Sequence, residues 1–131
     1  MAINPKLYKY IANEETYPDK AEIIKEDTHG DWVYLIMEGQ VKVKKKTPKG
    51  KLTITVLKEG SVFGESIFLQ MNKGKRTDSV VADGPVTVGI LDMALLGKEY
   101  HSVSPLLKEL ISTLARRLQD STSRLVSLTL E

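Results

Sequence analysis

Hydrophobic residues recur along this chain with three successive periods. Across residues 4 to 15, Leu7, Tyr10 and Ile11 fall at helical spacing behind Asn4, a capping residue, and Pro5, suited to a first helical position. A short helix is expected there. From Thr16 to Leu91 the period shortens. Glu22–Lys25 reads as a strand, Glu26–Asp31 as a polar turn, and the apolar run Trp32–Met37 as a buried strand. Val41 and Val43 alternate with Lys42 and Lys44. Thr47–Gly50 reads as a hairpin connection, after which Leu52, Ile54 and Val56 alternate with Lys51, Thr53 and Thr55. Ser79–Ala82 and Val86–Leu91 close the series around a turn at Asp83-Gly84-Pro85. Short strands at near-regular intervals with glycine corners predict a jelly-roll (cupin-like) β-roll over residues 16–91. Lys42, Lys44, Lys45 and Lys46 read as a solvated strand face guarding a sheet edge.

Beyond Leu91 the helical period returns. Asp92 is placed to cap a short helix, Met93–Lys98, and Ser104-Pro105 to start a long one reaching residue 131. In the long helix Leu107, Ile111, Leu114, Leu118, Leu125 and Leu128 form a heptad seam in which Ser121 takes the missing slot. A seam with no partner in its own chain implies a second copy, so a homodimer through residues 107–128 is expected. The fold class is mainly β with α: one domain, residues 1–131, with a short N-terminal helix and a long C-terminal dimerisation helix.

Composition narrows the chemistry. The 131 residues are enough for a single core without staples. Cysteine is absent, which removes disulfides and thiolate metal sites, and His29 and His101 are too few for an ordinary metal centre. No apolar run approaches the ~18 residues of a membrane span, and the N-terminus lacks a secretory core, so a cytoplasmic location is expected. A formal net charge of +2 does not argue for nucleic acid.

The chemistry concentrates in Gly60-Ser61-Val62-Phe63-Gly64-Glu65, followed eleven residues after Glu65 by Arg76-Thr77. Gly64 allows close backbone approach to a ligand. A helix starting near Glu65 would aim its N–H groups at an anion, and Arg76 offers a planar fork for two phosphate oxygens. Glu65 carries the wrong charge for phosphate and the right type to accept from a sugar hydroxyl. Carboxylate plus arginine reads as ribose plus phosphate, against the plainer reading of a surface salt bridge.

Together these pieces resemble the cyclic-nucleotide-binding domain of catabolite-activator-type regulators. The resemblance rests on Ala21–Asp27 with Gly30–Gly39, on Gly60–Glu65 with Arg76-Thr77, and on Leu114-Ala115-Arg116-Arg117-Leu118-Gln119. It implies a ligand site of Phe63, Gly64, Glu65, Ser66, Arg76, Thr77, Ser121 and Thr122, with cAMP or cGMP as ligand and no cofactor or metal. In it Glu65 holds the ribose, Arg76 the cyclic phosphate, Thr77 the phosphate and in some members a guanine amino group, and Ser121 and Thr122 the base, one across the dimer. Ligand would enter between the roll and the long helix. Ile67 stands where relatives carry a small residue and would crowd the sugar, and the 65–76 loop is one or two residues longer than usual. The family's DNA-reading element would follow the dimer helix, where this sequence stops, so direct DNA binding is not expected.

The expected function is therefore a homodimeric cAMP or cGMP sensor, not an enzyme, signalling to an unknown protein partner through its C-terminal helix. The alternative is a degenerate domain of the same fold that binds no nucleotide and serves as a dimerisation or interaction scaffold. A cupin-like metalloenzyme lacks its ligand cluster in this sequence. A haem sensor on the same fold would use His29 or His101.

Overall fold

The computed structural model describes residues 3–66 and 74–130, among which are eight strands and three helical segments. The first is a 3₁₀ helix, Pro5–Tyr10, whose cap Asn4 accepts a hydrogen bond from Lys6 N at 3.0 Å. The helix expected over residues 4 to 15 stops there, because Ile11–Tyr17 is strand β1, paired antiparallel with β8 (Val86–Leu91) from Ile11↔Leu91 to Tyr17↔Val86. Leu7, Tyr10 and Ile11 nevertheless pack on one cluster with Val33, Leu35 and Leu91. Their spacing reflects a shared buried face spanning two elements.

The other strands are β2 (Glu22–Ile24), β3 (Tyr34–Glu38), β4 (Gln40–Thr47), β5 (Gly50–Lys58), β6 (Val62–Phe63) and β7 (Ser79–Ala82). They form two antiparallel four-stranded sheets, ordered β1-β8-β3-β6 and β2-β7-β4-β5. Between the sheets lies a core of Ile24, Tyr34, Ile36, Val41, Phe63, Val80, Ala82, Val86, Val88 and Ile90. A second, smaller cluster lies on the far side of the first sheet, where Val33, Leu35 and Leu91 are covered by the 3₁₀ helix and by α1 (Met93–His101). Segment 33–36 faces both clusters in alternation. A strand covered on both faces has no solvent side, which is why it reads as an unbroken apolar run.

Three expectations shift. Trp32 precedes β3 and is 47% exposed, its ring set edge-on to Tyr34. Strand β4 is internal, between β7 and β5, so the lysine run does not guard an edge. In β5 the pairing passes from Val43↔Thr55 to Lys44↔Thr53, leaving Ile54 as a bulge. The bulge inverts the alternation, a one-residue slip exchanging the faces. Leu57 therefore packs on the core while Val56 is 39% exposed.

Asp92 caps α1 through a bond from Leu95 N at 3.0 Å, and the helix runs to His101, three residues past the expected Lys98. Helix α2 spans Pro105–Thr129 and is capped by Ser104. It buries none of its residues: Leu107, Leu114, Leu118, Leu125 and Leu128 are all more than half exposed. Leu106 and Leu110 widen the apolar face at its start. Its two ends touch the rest of the chain, Lys108 Nζ over the Tyr100 ring at 5.4 Å and Lys49 Nζ on Leu130 O at 3.4 Å.

Candidate functional site

Arg76 is the centre of the site, and the chain around it is built to hold its side chain indoors. Its N–H donates to Thr28 O at 2.8 Å and its carbonyl accepts from Asp27 N at 2.9 Å, clasping it to the loop between β2 and β3. His29 and Lys75 form an antiparallel bridge beside this clasp. The side chain is 4% exposed. Nη1 donates to Gly64 O at 2.9 Å and Nη2 to Trp32 O at 2.8 Å.

Two glycines make that placement possible. A Cβ at Gly30 would stand 2.9 Å from Nη2 and 3.0 Å from Nε. One at Gly64 would stand 3.0 Å from both Nη1 and Trp32 O, and the Gly64 backbone has φ +83°, a region that disfavours side chains. The guanidinium thus occupies the space of two missing methyl groups. It carries five N–H bonds, and two are used on carbonyls. Nε makes no hydrogen bond to the described residues.

Burial pushes the Arg76 guanidinium below its ordinary pKa, while Tyr34, Asp31 and Glu65 favour its charged form. Among the described residues it makes no ion pair; the pairs are Lys42–Asp83, Lys45–Glu26, Lys51–Glu22 and Arg116–Glu109. The plain salt-bridge reading of Glu65 and Arg76 is thereby excluded within the described residues. A buried cation neutralised only by dipoles and distant carboxylates is a strong attractor for an anion.

Arg76 forms a wall of two cavities. The smaller, about 50 Å³, is lined by Ile24, Gly64, Glu65, Ser66, Arg76, Thr77, Asp78 and Val80. It brings together five of the eight residues expected at the site. The larger, about 360 Å³, lies on the Gly30 side and is bordered by Lys25, Thr28, His29, Asp31, Trp32 and Tyr34. A third, apolar cavity of about 270 Å³ lies under the 3₁₀ helix, with Glu65 at its rim.

The remaining three lie elsewhere. Phe63 is 2% exposed and stacks on Tyr34 at 5.0 Å between ring centres, supporting Gly64 from the core. Ser121 is exposed on α2, and Thr122 Oγ1 donates to Leu118 O at 2.9 Å within its own helix. Neither borders these three cavities, so among the described residues the expected roof of terminal helix does not lie over them. Glu65 and Ser66 lie in a turn; the helix expected after them, the Ile67 contact and the length of the 65–76 loop fall on or across residues outside the described ones.

Sequence reasoning missed Gly30, Lys45 and Asp78. Lys45 Nζ donates to Thr77 O at 2.6 Å and pairs with Glu26 at 3.6 Å, pinning the backbone next to Arg76. Its inward direction follows from the alternation with Val41 and Val43, a signal hidden by its position in a lysine run. Among the described residues no group of three or more His, Asp or Glu is arranged to hold a metal ion.

The chain belongs to the cyclic nucleotide-binding domain family, whose model matches residues 14–101. It is 37% identical over 103 residues to the human cyclic nucleotide-gated channel beta-1, an alignment covering 78% of this chain and 8% of the channel protein. It is 29% identical over 114 residues to a CRP-like cAMP-activated global transcriptional regulator of Mycobacterium tuberculosis, covering 86% of this chain and 50% of the regulator. The chain spans half or less of the length of these relatives. Among solved structures, an EAL enzyme with cAMP and cyclic-di-GMP bound aligns with a TM-score of 0.76 at 24% identity, over 91% of this chain and 32% of its own. At that identity the likeness is one of fold. The matched family is a regulatory, ligand-binding one. Among the described residues no helix is long and apolar enough to cross a membrane.

Proposed function

We propose that this chain is a cyclic-nucleotide sensor in which Arg76 takes the cyclic phosphate and Glu65 a ribose hydroxyl. Gly64 and Ser66 supply close backbone and hydroxyl contacts, and Thr77 lies beside the phosphate. The observation that carries the reading is the buried guanidinium, set between Gly30 and Gly64 and sharing one cavity with Glu65, Ser66 and Thr77. The exposed leucine seam of α2 pairs with a second copy, and that pairing brings Ser121 and Thr122 of each chain towards a base. The signal then passes to a partner protein, without catalysis by this chain. Calorimetric titration with cAMP and cGMP tests the reading: wild type releases heat and saturates, and Arg76→Glu abolishes the response. No binding by wild type at millimolar ligand overturns it.

One observation favours the second reading, a scaffold that binds no nucleotide. The cavity beside Glu65 holds only about 50 Å³, and two N–H groups of Arg76 are already bonded within the chain. On that reading Ile67→Ala creates binding that wild type lacks.

A further inference from the structure

Charge is unevenly placed along this chain, and one hairpin collects the positive part. From Gln40 to Lys58, strands β4 and β5 hold seven of the nineteen basic residues and none of the seventeen acidic ones, so the rest of the chain is net acidic. Val41 and Val43 pack on the core, which turns Lys42, Lys44 and Lys46 outward. Residues directly opposite across a ladder share a face, and the register sets Lys51 opposite Lys46 and Lys58 opposite Gln40. Five lysines therefore share the outer face of two strands. Lys46 against Lys51 is a like-charge pair, an unfavourable contact that a bound anion relieves. Lys42 and Lys51 meet Asp83 at 3.8 Å and Glu22 at 2.9 Å, whereas Lys44, Lys46 and Lys58 make no ion pair among the described residues. Strand β5 is also the last of its sheet: among the described residues it pairs with β4 alone. One side of its nine residues thus offers backbone N–H and C=O groups to an incoming strand.

We propose that the β5 edge docks an extended acidic segment of a partner protein, added as a further strand whose carboxylates face the lysines. Main-chain hydrogen bonds give such a strand its affinity, and its alternate side chains give it specificity. A second copy of β5 is repelled by its own lysines. The bulge at Ile54 divides the edge, so the added strand pairs with residues 51–53 or 55–58. A flat phosphate surface would meet the lysines and leave the strand edge unused. The proposal is independent of the nucleotide reading, since the hairpin lends no residue to either cavity at Arg76.

The probe is an end-blocked peptide in which glutamate alternates with threonine, carrying a fluorophore and titrated with the whole chain in the absence of nucleotide. Its anisotropy should saturate, with an affinity that falls as salt rises, and binding should slow amide exchange within β5. An analogue of equal charge, methylated at every backbone nitrogen, should bind at least about tenfold more weakly, since it has lost its ladder donors. The double variant Lys44→Gln, Lys46→Gln should bind the unmethylated peptide about fivefold more weakly, the scale of two exposed charge pairs. Absence of saturable binding overturns the proposal, as does equal affinity for the methylated analogue or an unchanged affinity in the lysine variant. Tighter binding to vesicles of three parts phosphatidylcholine and one part phosphatidylserine than to the peptide also overturns it, assigning the lysines to an anionic surface instead.

Discussion

The guanidinium of Arg76 rests on the bare Cα of Gly30, with the nearest guanidinium nitrogen 2.9 Å from where a Cβ would stand. Gly30 does not have a left-handed backbone, so alanine there is opposed by space alone. Two carbonyl bonds and the backbone clasp fix the arginine, which leaves it little room to yield. Gly30→Ala is expected to cost about 1–3 kcal/mol of stability and to weaken nucleotide binding. Urea unfolding and calorimetry on the same preparation check both effects.

Gly64→Ala meets two obstacles, a φ of +83° and atoms of Arg76, Trp32 and Ile24 at 3.0–3.1 Å. Strain of this kind costs on the order of 1–3 kcal/mol before any crowding is added. Thermal melting of Gly64→Ala should therefore fall at least as far as that of Gly30→Ala.

Arg76 and Glu65 separate binding from stability. Arg76→Ala strips two carbonyls of their donor in a buried setting and opens a void, so it destabilises by about 1–3 kcal/mol or more. Glu65 is exposed, and Glu65→Ala should stay within about ±0.5 kcal/mol of wild type. Both lose affinity. With ligand at a hundredfold excess over Kd, wild type gains about 2.7 kcal/mol of stability, and neither variant shows that gain at the same concentration.

How much of this was legible in the sequence follows from how local each feature is. The caps at Asn4, Asp92 and Ser104 are written in short runs of residues and stand where the sequence places them, while β3 starts two residues later than the apolar run Trp32–Met37 predicts. The end of the first helix at Tyr10 is not local, since it depends on β8, some eighty residues on, offering Ile11–Tyr17 an edge. The bulge at Ile54 has no signature in an alternating string, and it moves Val56 to the outside. At the site, Glu65, Ser66, Arg76 and Thr77 line one cavity. The residues that shape the guanidinium's seat, Gly30 and Trp32 O, come from a loop whose approach no spacing announces.

Alkaline pH should unfold the domain through its tyrosines. Desolvation raises the Tyr34 pKa, and burial together with the hydrogen bond to Glu15 raises that of Tyr17. A group raised in the folded state contributes fully below its unfolded value, near 10 for tyrosine, and loses that contribution as pH climbs through the folded value. Stability is thus flat on this account below about pH 10 and falls above it. Tyr17→Phe flattens the alkaline limb in a urea-midpoint series across pH.

The face of α2 predicts an oligomer. Leu114 and Leu118 are 62% and 64% exposed on a helix that buries nothing within its own chain. Sedimentation of wild type should give the mass of two chains, and Leu118→Glu that of one, with the β-roll still folded. A monomeric wild type at high micromolar concentration contradicts the pairing.

The central claim is that phosphate meets one particular arginine. Protein labelled with ¹⁵N at its arginines carries four Nε–H signals, of which only that of Arg76 comes from a buried side chain. Saturating cGMP or cAMP should shift the Arg76 Nε–H resonance strongly and protect it from exchange, leaving Arg116, Arg117 and Arg124 near their free positions. An Arg76 signal unmoved at saturation, or no saturation at all, contradicts the account.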